Sequence, residues 1–340
     1  MTPQRLLAPL TPLYALGLAL KNRRYDSYKQ GDGRPSPMQR LEWPVISVGN
    51  LSVGGAGKTP VVMRLVELLR EEGLHADVLS RGYGRSGRGV ERVDPAGAAA
   101  RYGDEPLLIA GATQAPVYVG ASRYAAGRLA ERESALAGQS SQRAVHILDD
   151  GFQHRRLARD LDIVVLHASD FEERLLPAGR LREPLRTLGR ADVLVLREED
   201  AHLAAHLDSL HLQQPRWLVR RALQMPAELL VQAPVIAFCG IARPQEFFSA
   251  LWAQGADLAA QVAFRDHRAF TDADLDRLLA LARRHRARAF VTTEKDAIRL
   301  MPAQRARLAA VAPLVAVPLA VSFVDESVVR AQLLASLRRP

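Results

Sequence analysis

The sequence predicts an α/β protein of two lobes: a large α/β/α sandwich, then a second, smaller α/β lobe joined to it by a short strand linker. Short continuous apolar runs recur at Val45–Val48, Ala76–Leu79, Pro116–Val119, Val145–Leu148, Ile163–Leu166 and Val193–Leu196, with helical periodicity between them. Runs without polar alternation read as parallel strands buried on both faces. A second set follows at Val235–Cys239, Leu258–Phe264 and Ala289–Thr292, interleaved with helical patterns at Pro244–Trp252 and Thr271–Arg284. Leu314–Phe323 and a terminal helix close the chain. Between the two sets, Pro226 and Pro234 punctuate a stretch that includes Arg216–Leu223. The expected divisions are an N-terminal segment over 1–24, a first lobe over 25–215, a linker over 216–233 and a second lobe over 234–340. The last stretch of the chain is free to return to the linker or first lobe. At 340 residues the chain is long enough for two cores of ordinary size.

Composition narrows the class. Hydrophobic content of 48% with 24% charged residues is that of a globular protein. Cys239 is the only cysteine, which excludes an intrachain disulfide and a thiolate zinc site. The net charge of +9 invites a nucleic-acid partner. Against that, only four of the 46 basic residues are lysine, an arginine bias that reads as genome composition. There is neither a basic repeat nor aromatic interleaving, so no nucleic-acid partner is expected.

At the N-terminus, Leu6 to Leu20 is mostly apolar, with Pro9, Pro12 and Gly17 inside it. Fifteen helical residues reach about 22 Å, short of a hydrocarbon core of roughly 30 Å. Lys21-Asn-Arg-Arg24 follows directly. A basic cluster after an apolar segment suits an interfacial anchor on anionic lipid; a helix packed on the protein's own core is the alternative.

The most specific chemistry lies in Ser52-Val53-Gly54-Gly55-Ala56-Gly57-Lys58-Thr59, between the run Val45–Gly49 and the helical pattern from Pro60. Strand, glycine-rich loop, Lys-Thr and helix, in that order, are the context of a P-loop. Its backbone N–H groups cradle phosphate oxygens at a helix N-terminus, Lys58 neutralises the β/γ-phosphates, and the Thr59 hydroxyl holds magnesium. Ser52 stands where the general pattern has glycine. Val145-His-Ile-Leu-Asp149-Asp150 is an apolar strand ending in acids, the form of a Walker B strand that holds magnesium directly or through water. Asp104, in Tyr102-Gly-Asp-Glu-Pro106, reads either as a helix N-cap or as a carboxylate poised to take a hydroxyl proton. Leu176-Pro-Ala-Gly-Arg-Leu-Arg182-Glu183-Pro184 reads as a solvated loop or an anion clamp, and Ser122-Arg123-Tyr124 likewise.

Taken together, these motifs resemble the tetraacyldisaccharide 4'-kinase family of lipid A biosynthesis in Gram-negative bacteria. The resemblance rests on Ser47–Pro60, Ser80-Arg-Gly-Tyr-Gly-Arg85, Gly103–Pro106, Leu148-Asp-Asp-Gly-Phe-Gln-His154 and Leu176–Pro184. Phe238-Cys-Gly-Ile-Ala242, Asp266-His267 and Thr292-Thr-Glu-Lys-Asp-Ala297 extend it through the second lobe. Ser52 is expected in that family. The resemblance implies transfer of the ATP γ-phosphate, with Mg2+, to the 4'-hydroxyl of a tetraacylated disaccharide 1-phosphate. It also implies a two-stranded linker, a peripheral helix at the cytoplasmic face of the inner membrane, and a monomer. It carries the base to Asp104 with His267 in support, and phosphate and metal contacts to Lys58, Thr59, Asp149 and Asp150. Glu183 would join the metal's surroundings, Gln153 and Arg182 the nucleotide, and Asn50 and Arg123 the acceptor. The runner-up reading is a regulatory P-loop NTPase with no lipid acceptor; no Asn-Lys-x-Asp motif of a GTPase is present.

Overall fold

The computed structural model describes residues 7–27, 36–138, 143–226, 234–266 and 268–337. The first-lobe strands are β1 (Val45–Gly49), β2 (His75–Ser80), β3 (Glu91–Arg92), β4 (Val117–Val119), β5 (Ala144–Asp149), β6 (Leu161–Val165), β7 (Val193–Arg197) and β8 (Arg216–Leu223). There follow β9 (Val235–Cys239), β10 (Leu258–Ala263), β11 (Ala289–Thr293), β12 (Leu314–Val317) and β13 (Leu319–Phe323). Among the described residues they form a nine-stranded sheet, β13-β8-β7-β6-β1-β5-β2-β4-β3, and a four-stranded sheet, β10-β9-β11-β12. All pairs are parallel except β3–β4 and β8–β13. Every residue of β1 and β5 is buried, as their unbroken apolar runs require.

Helices α1 (Thr11–Asp26), α2 (Lys58–Glu71), α3 (Asp104–Thr113), α4 (Arg123–Leu136), α5 (Pro244–Ala253), α6 (Asp272–His285), α7 (Glu294–Arg299), α8 (Pro302–Ala309) and α9 (Glu326–Leu337) complete the elements used below. Val61, Val62, Leu65, Val66, Leu68 and Leu69 of α2 recur at helical spacing and are buried in the main core with β1 and β5. That seats the N-terminus of α2 at the carboxyl edge of the sheet.

One expectation changes. The segment Arg216–Leu223, read from sequence as linker, is β8 and belongs to the large sheet, with Trp217 and Val219 buried in its core. The run Leu314–Phe323 is two strands in different sheets, divided at Pro318. Proline has no N–H for the ladder, so the chain can leave one sheet there and join the other. Leu319 then pairs with Leu223, so β8 and β13 meet at the point where the chain passes between sheets. The C-terminal stretch does return to the first lobe. Val329 and Leu333 of α9 enter the main core, and Glu326 pairs with Arg64 of α2 at 2.7 Å. The rest of the expected linker, residues 227–233, lies outside the described residues.

Of the apolar N-terminal run, Leu6 lies outside the described residues; the rest enters α1 and the short turn Ala8–Leu10 before it. Leu13, Leu16 and Leu20 are 67%, 58% and 61% exposed, and Asn22 is the buried residue of the helix. Polar contacts dock α1: Tyr14 Oη donates to the Arg182 carbonyl at 2.9 Å, and Arg155 pairs with Asp26 at 2.6 Å. Among the described residues, no helix is long and apolar enough to cross a membrane.

A buried ionic group ties β5 to its neighbours. His146 is fully buried, with Nδ1 2.7 Å from Asp77 Oδ1 on β2 and Nε2 3.5 Å from Glu131 Oε1 on α4, and its ring stacks on Trp43. Burial alone would lower its pKa, but the carboxylates of Asp77 and Glu131 outweigh it and raise the value to about 9. Because the folded value lies above the unfolded one near 6.5, this contribution is complete below that pH and is lost as pH rises through about 9. Denaturant titrations of wild type and His146→Gln between pH 6 and 10 should differ in slope. Wild type should lose on the order of 3 kcal/mol that the variant does not; parallel curves would show that the imidazole is neutral in the folded protein.

Candidate active site

The site forms where β1, β2 and β5 end. Val48 lies opposite Asp149 in the parallel β1–β5 pair, so the loop leaving β1 and the acids leaving β5 share one edge. Gly49 is required there, because a Cβ on it would lie 2.5 Å from the Phe152 Cβ. The loop from Val53 to Thr59 then lines a cleft of about 1180 Å³, and Gly57, at φ +83°, turns it into α2. Lys58, Thr59, Asp149, Asp150, Arg123, Gln153 and Arg182 also face this cleft.

A knot of charges holds the loop in register. Lys58 Nζ donates to Asn50 Oδ1 at 2.8 Å and sits 3.2 Å from Asp150 Oδ1. Arg182 makes a fork to Asp150, with Nη1–Oδ2 and Nη2–Oδ1 both 2.9 Å. Asp150 adopts φ +53°, a left-handed conformation that an Asp tolerates and that faces its carboxylate to both cations. Partial burial opposes ionisation of Asp150, but Lys58 and Arg182 outweigh it and hold the carboxyl well below the usual carboxylate range. Its neighbour behaves oppositely. Burial, then the charges of Glu105 and Asp150, push Asp149 up to about 7, although Ser80 Oγ donates to its Oδ2 at 3.0 Å.

This arrangement fits a hard dication. Asp149 is 1% exposed and its Oδ1 has no hydrogen-bond partner among the described residues. Such a carboxylate calls for a cation, and the Thr59 hydroxyl lines the same cleft. Among the described residues there is no cluster of three His, Cys, Asp or Glu side chains able to hold a metal alone. That suits Mg2+, which takes one or two protein oxygens and completes its shell with phosphate and water.

Three expected residues sit differently. Ser52 is buried beneath the loop, and its carbonyl accepts from Asn50 Nδ2 at 2.8 Å. Asn50 is fully buried, so its amide orients Lys58 and Arg182 and does not meet an acceptor. Glu183 is not brought to the cleft. Its Oε2 is held by Arg190 at 2.9 Å and by Asn22 of α1 at 3.3 Å, which neutralises a carboxylate only 1% exposed.

Asp104 is the first residue of α3, not its cap; Gly103 takes the cap position. Its Oδ2 accepts from Arg299 Nε at 2.8 Å and lies 3.9 Å from Lys295 Nζ, so the second lobe reaches it directly. His267 lies outside the described residues. Beyond the expected set, the cleft is lined by Lys21 and Tyr25 of α1, by Arg81 and Tyr83, and by His154 and Arg156. Burial, then the charges of Arg123 and its basic neighbours, push His154 down to about 4, so it stays neutral in this basin. Arg243, at the start of α5, donates to the Gly55 carbonyl at 2.5 Å and brings the second lobe onto the P-loop. Arg81 and Tyr83 stood in a quoted motif; Arg243 had no sequence signal beyond following Phe238–Ala242.

A β1–loop–α2 unit with Lys-Thr at the helix start, beside a strand ending in acids, defines a P-loop nucleotide-binding fold. The profile of the Tetraacyldisaccharide-1-P 4'-kinase family matches residues 3–338, and the chain belongs to that family. The Tetraacyldisaccharide 4'-kinase of Koribacter versatilis is 42% identical over 302 residues, covering 86% of this chain and 88% of that protein. That of Gluconacetobacter diazotrophicus is 40% identical over 317 residues, covering 91% and 88%. The crystal structure of the "apo" form of LpxK from Aquifex aeolicus in complex with ATP superposes with a TM-score of 0.73 at 30% identity, covering 98% of this chain and 99% of that one.

Lys58→Ala removes the cation that the loop presents, and calorimetric titration should find ATP bound on the order of 10–10² times more weakly. Unchanged affinity would contradict the P-loop assignment.

Proposed function

We propose that this kinase transfers the γ-phosphate of ATP to the 4'-hydroxyl of a tetraacyldisaccharide 1-phosphate, at the cytoplasmic surface of the inner membrane. One observation carries the reading: a single cleft is lined both by the P-loop and by Lys21 and Tyr25 of α1. A helix that exposes Leu13, Leu16 and Leu20 is suited to lie on lipid, and the cleft beside it leads to the nucleotide loop. The basin of Arg81, Arg123 and Arg156 suits the acceptor's own phosphate, because guanidinium forks match phosphate oxygens.

The chemistry follows from the residues. Backbone N–H groups of Val53–Thr59 and the Lys58 ammonium bind the β- and γ-phosphates, and Arg182 is close enough to share that charge once it leaves Asp150. Thr59 and Asp149 would hold Mg2+, which would supply charge neutralisation at the phosphate oxygens. Asp104 takes the proton of the acceptor hydroxyl as its oxygen bonds to the γ-phosphorus. The bond from that phosphorus to the bridging oxygen breaks, and ADP leaves. A sugar hydroxyl is a poor nucleophile, and a positioned carboxylate base contributes about 10²–10⁴-fold.

Transfer of label from γ-³²P-ATP to tetraacyldisaccharide 1-phosphate in micelles with magnesium should give a doubly phosphorylated lipid, and Asp104→Ala should lower turnover by that 10²–10⁴-fold while ATP still binds. Phosphate released equally fast without lipid would favour the regulatory NTPase; normal turnover by Asp104→Ala would remove the base assignment. The membrane part has its own check. Changing Leu13, Leu16 and Leu20 together to Ser should weaken binding to phosphatidylethanolamine/phosphatidylglycerol vesicles by on the order of 10²-fold or more. Equal partitioning of both proteins would refute the surface anchor.

A further inference from the structure

The segment Thr292-Thr-Glu-Lys-Asp-Ala297 belongs to the second lobe and has no part in the reaction above. The structure shows what it builds. Thr293 caps α7, and Asp296, fully buried, accepts from the Gly240 N–H at 3.0 Å and from Thr293 Oγ1 at 2.7 Å. One helical step on, Arg299 is fixed by the same pair of partners: its Nη1 donates to the Gly240 carbonyl at 2.6 Å and to Asp296 Oδ1 at 3.0 Å. Both anchors lie in the second lobe. The remaining edge of the guanidinium, Nε and Nη2, points across to the first lobe and meets Asp104 Oδ2. Nη2 also lies 3.7 Å from Asp266 Oδ1, beside His267 in the chain.

The Arg299 side chain is only 7% exposed, so these contacts are made away from bulk water, where a planar five-donor fork has little freedom to turn. Lys295, on the same helix, donates to Glu105 Oε1 at 2.9 Å and seconds the grip on α3. Gly240 lies in the turn that carries Ala242 and Arg243, and Arg243 bonds the P-loop carbonyl of Gly55. A single buried guanidinium therefore spans Asp104, the turn that touches the P-loop, and the loop of Asp266.

We propose that Arg299 is a positioning residue of the reaction: anchored by Gly240 and Asp296, it fixes the Asp104 carboxylate and makes its competence depend on seating of the second lobe. This rests on reading Asp104 as the base. Arg299 is not among the residues that line the cleft. Its effect passes through Asp104, whose other oxygen already accepts from the Glu105 N–H at 3.0 Å. With both oxygens held, the carboxylate plane has one orientation, the condition for positioned proton transfer.

The test is a mutant cycle with full steady-state kinetics. Arg299→Met should lower kcat on the order of 10²-fold, the scale of a misplaced catalytic group, while KM for ATP changes less than about threefold. In the Asp104→Ala background the same substitution should change kcat less than about twofold, because the group it acts through is gone. Arg299→Lys supplies a charge but no fork, and should recover less than about a tenth of the lost rate. Thermal melts check folding, and if Arg299→Met does not fold, Arg299→Lys is taken through the same cycle. A loss in kcat that multiplies with that of Asp104→Ala, a rise in KM for ATP equal to the fall in kcat, or a wild-type kcat in Arg299→Met would each overturn the proposal and leave the base intact. Normal turnover by Asp104→Ala alone would instead overturn the base reading.

Discussion

Asp150 lies between Lys58 at 3.2 Å and the two-pronged fork of Arg182, with the Asn50 amide beneath both cations. The site depends on this charge knot. A lysine and an arginine packed this close would repel each other without an anion between them. Asp150 and Asn50 supply that compensation and hold the cations at the mouth of the loop. The knot in turn exists only because Val48 and Asp149 are partners across β1 and β5, which brings residues far apart in the chain to one edge. Incoming phosphates would replace the Asp150 carboxylate as the counter-charge, so the loop is arranged before its ligand arrives.

The two adjacent acids show how burial sets chemistry. Asp150 is held ionised by two cations, whereas burial and like charge push Asp149, one residue earlier, up to about 7. Ser80 satisfies one of its oxygens and leaves the other without a partner among the described residues. A pair of carboxylates pushed in opposite directions matches a division of work, one balancing protein cations and the other facing a metal. The second lobe acts through the same kind of contact. Arg243 reaches the P-loop and Arg299 reaches Asp104, so the second lobe touches the first at two of the residues the reaction uses.

The helix α1 joins the site to the surface without entering the core. Its docking is polar, through Tyr14, Asn22 and Asp26, and its leucines face outward. A helix packed on the protein's own core would show the reverse. The buried Glu183 carboxylate takes part in this docking, which accounts for its distance from the nucleotide loop. The loop that carries Arg182 thus faces the nucleotide with one residue and anchors the surface helix with the next.

Read alone, the sequence determined the α/β class, the P-loop, the acidic strand end and the family, because those depend on local order: an apolar run, a glycine turn, a charged residue at a fixed offset. It could not settle β8 and β13, since whether a run such as Arg216–Leu223 is linker or strand depends on pairing with β7 on one side and, nearly a hundred residues later, with β13 on the other. Pro318 was visible, but the switch of sheets that it permits was not. The same holds for Asn50, Glu183 and Arg299, ordinary polar residues in sequence. Their roles come from what lies opposite them, and hydrogen bonds and ion pairs over 3 Å are set by the packing of distant segments. Tertiary structure alone decided that Asn50 orients cations, that Glu183 holds a helix, and that Arg299 reaches from the second lobe to Asp104.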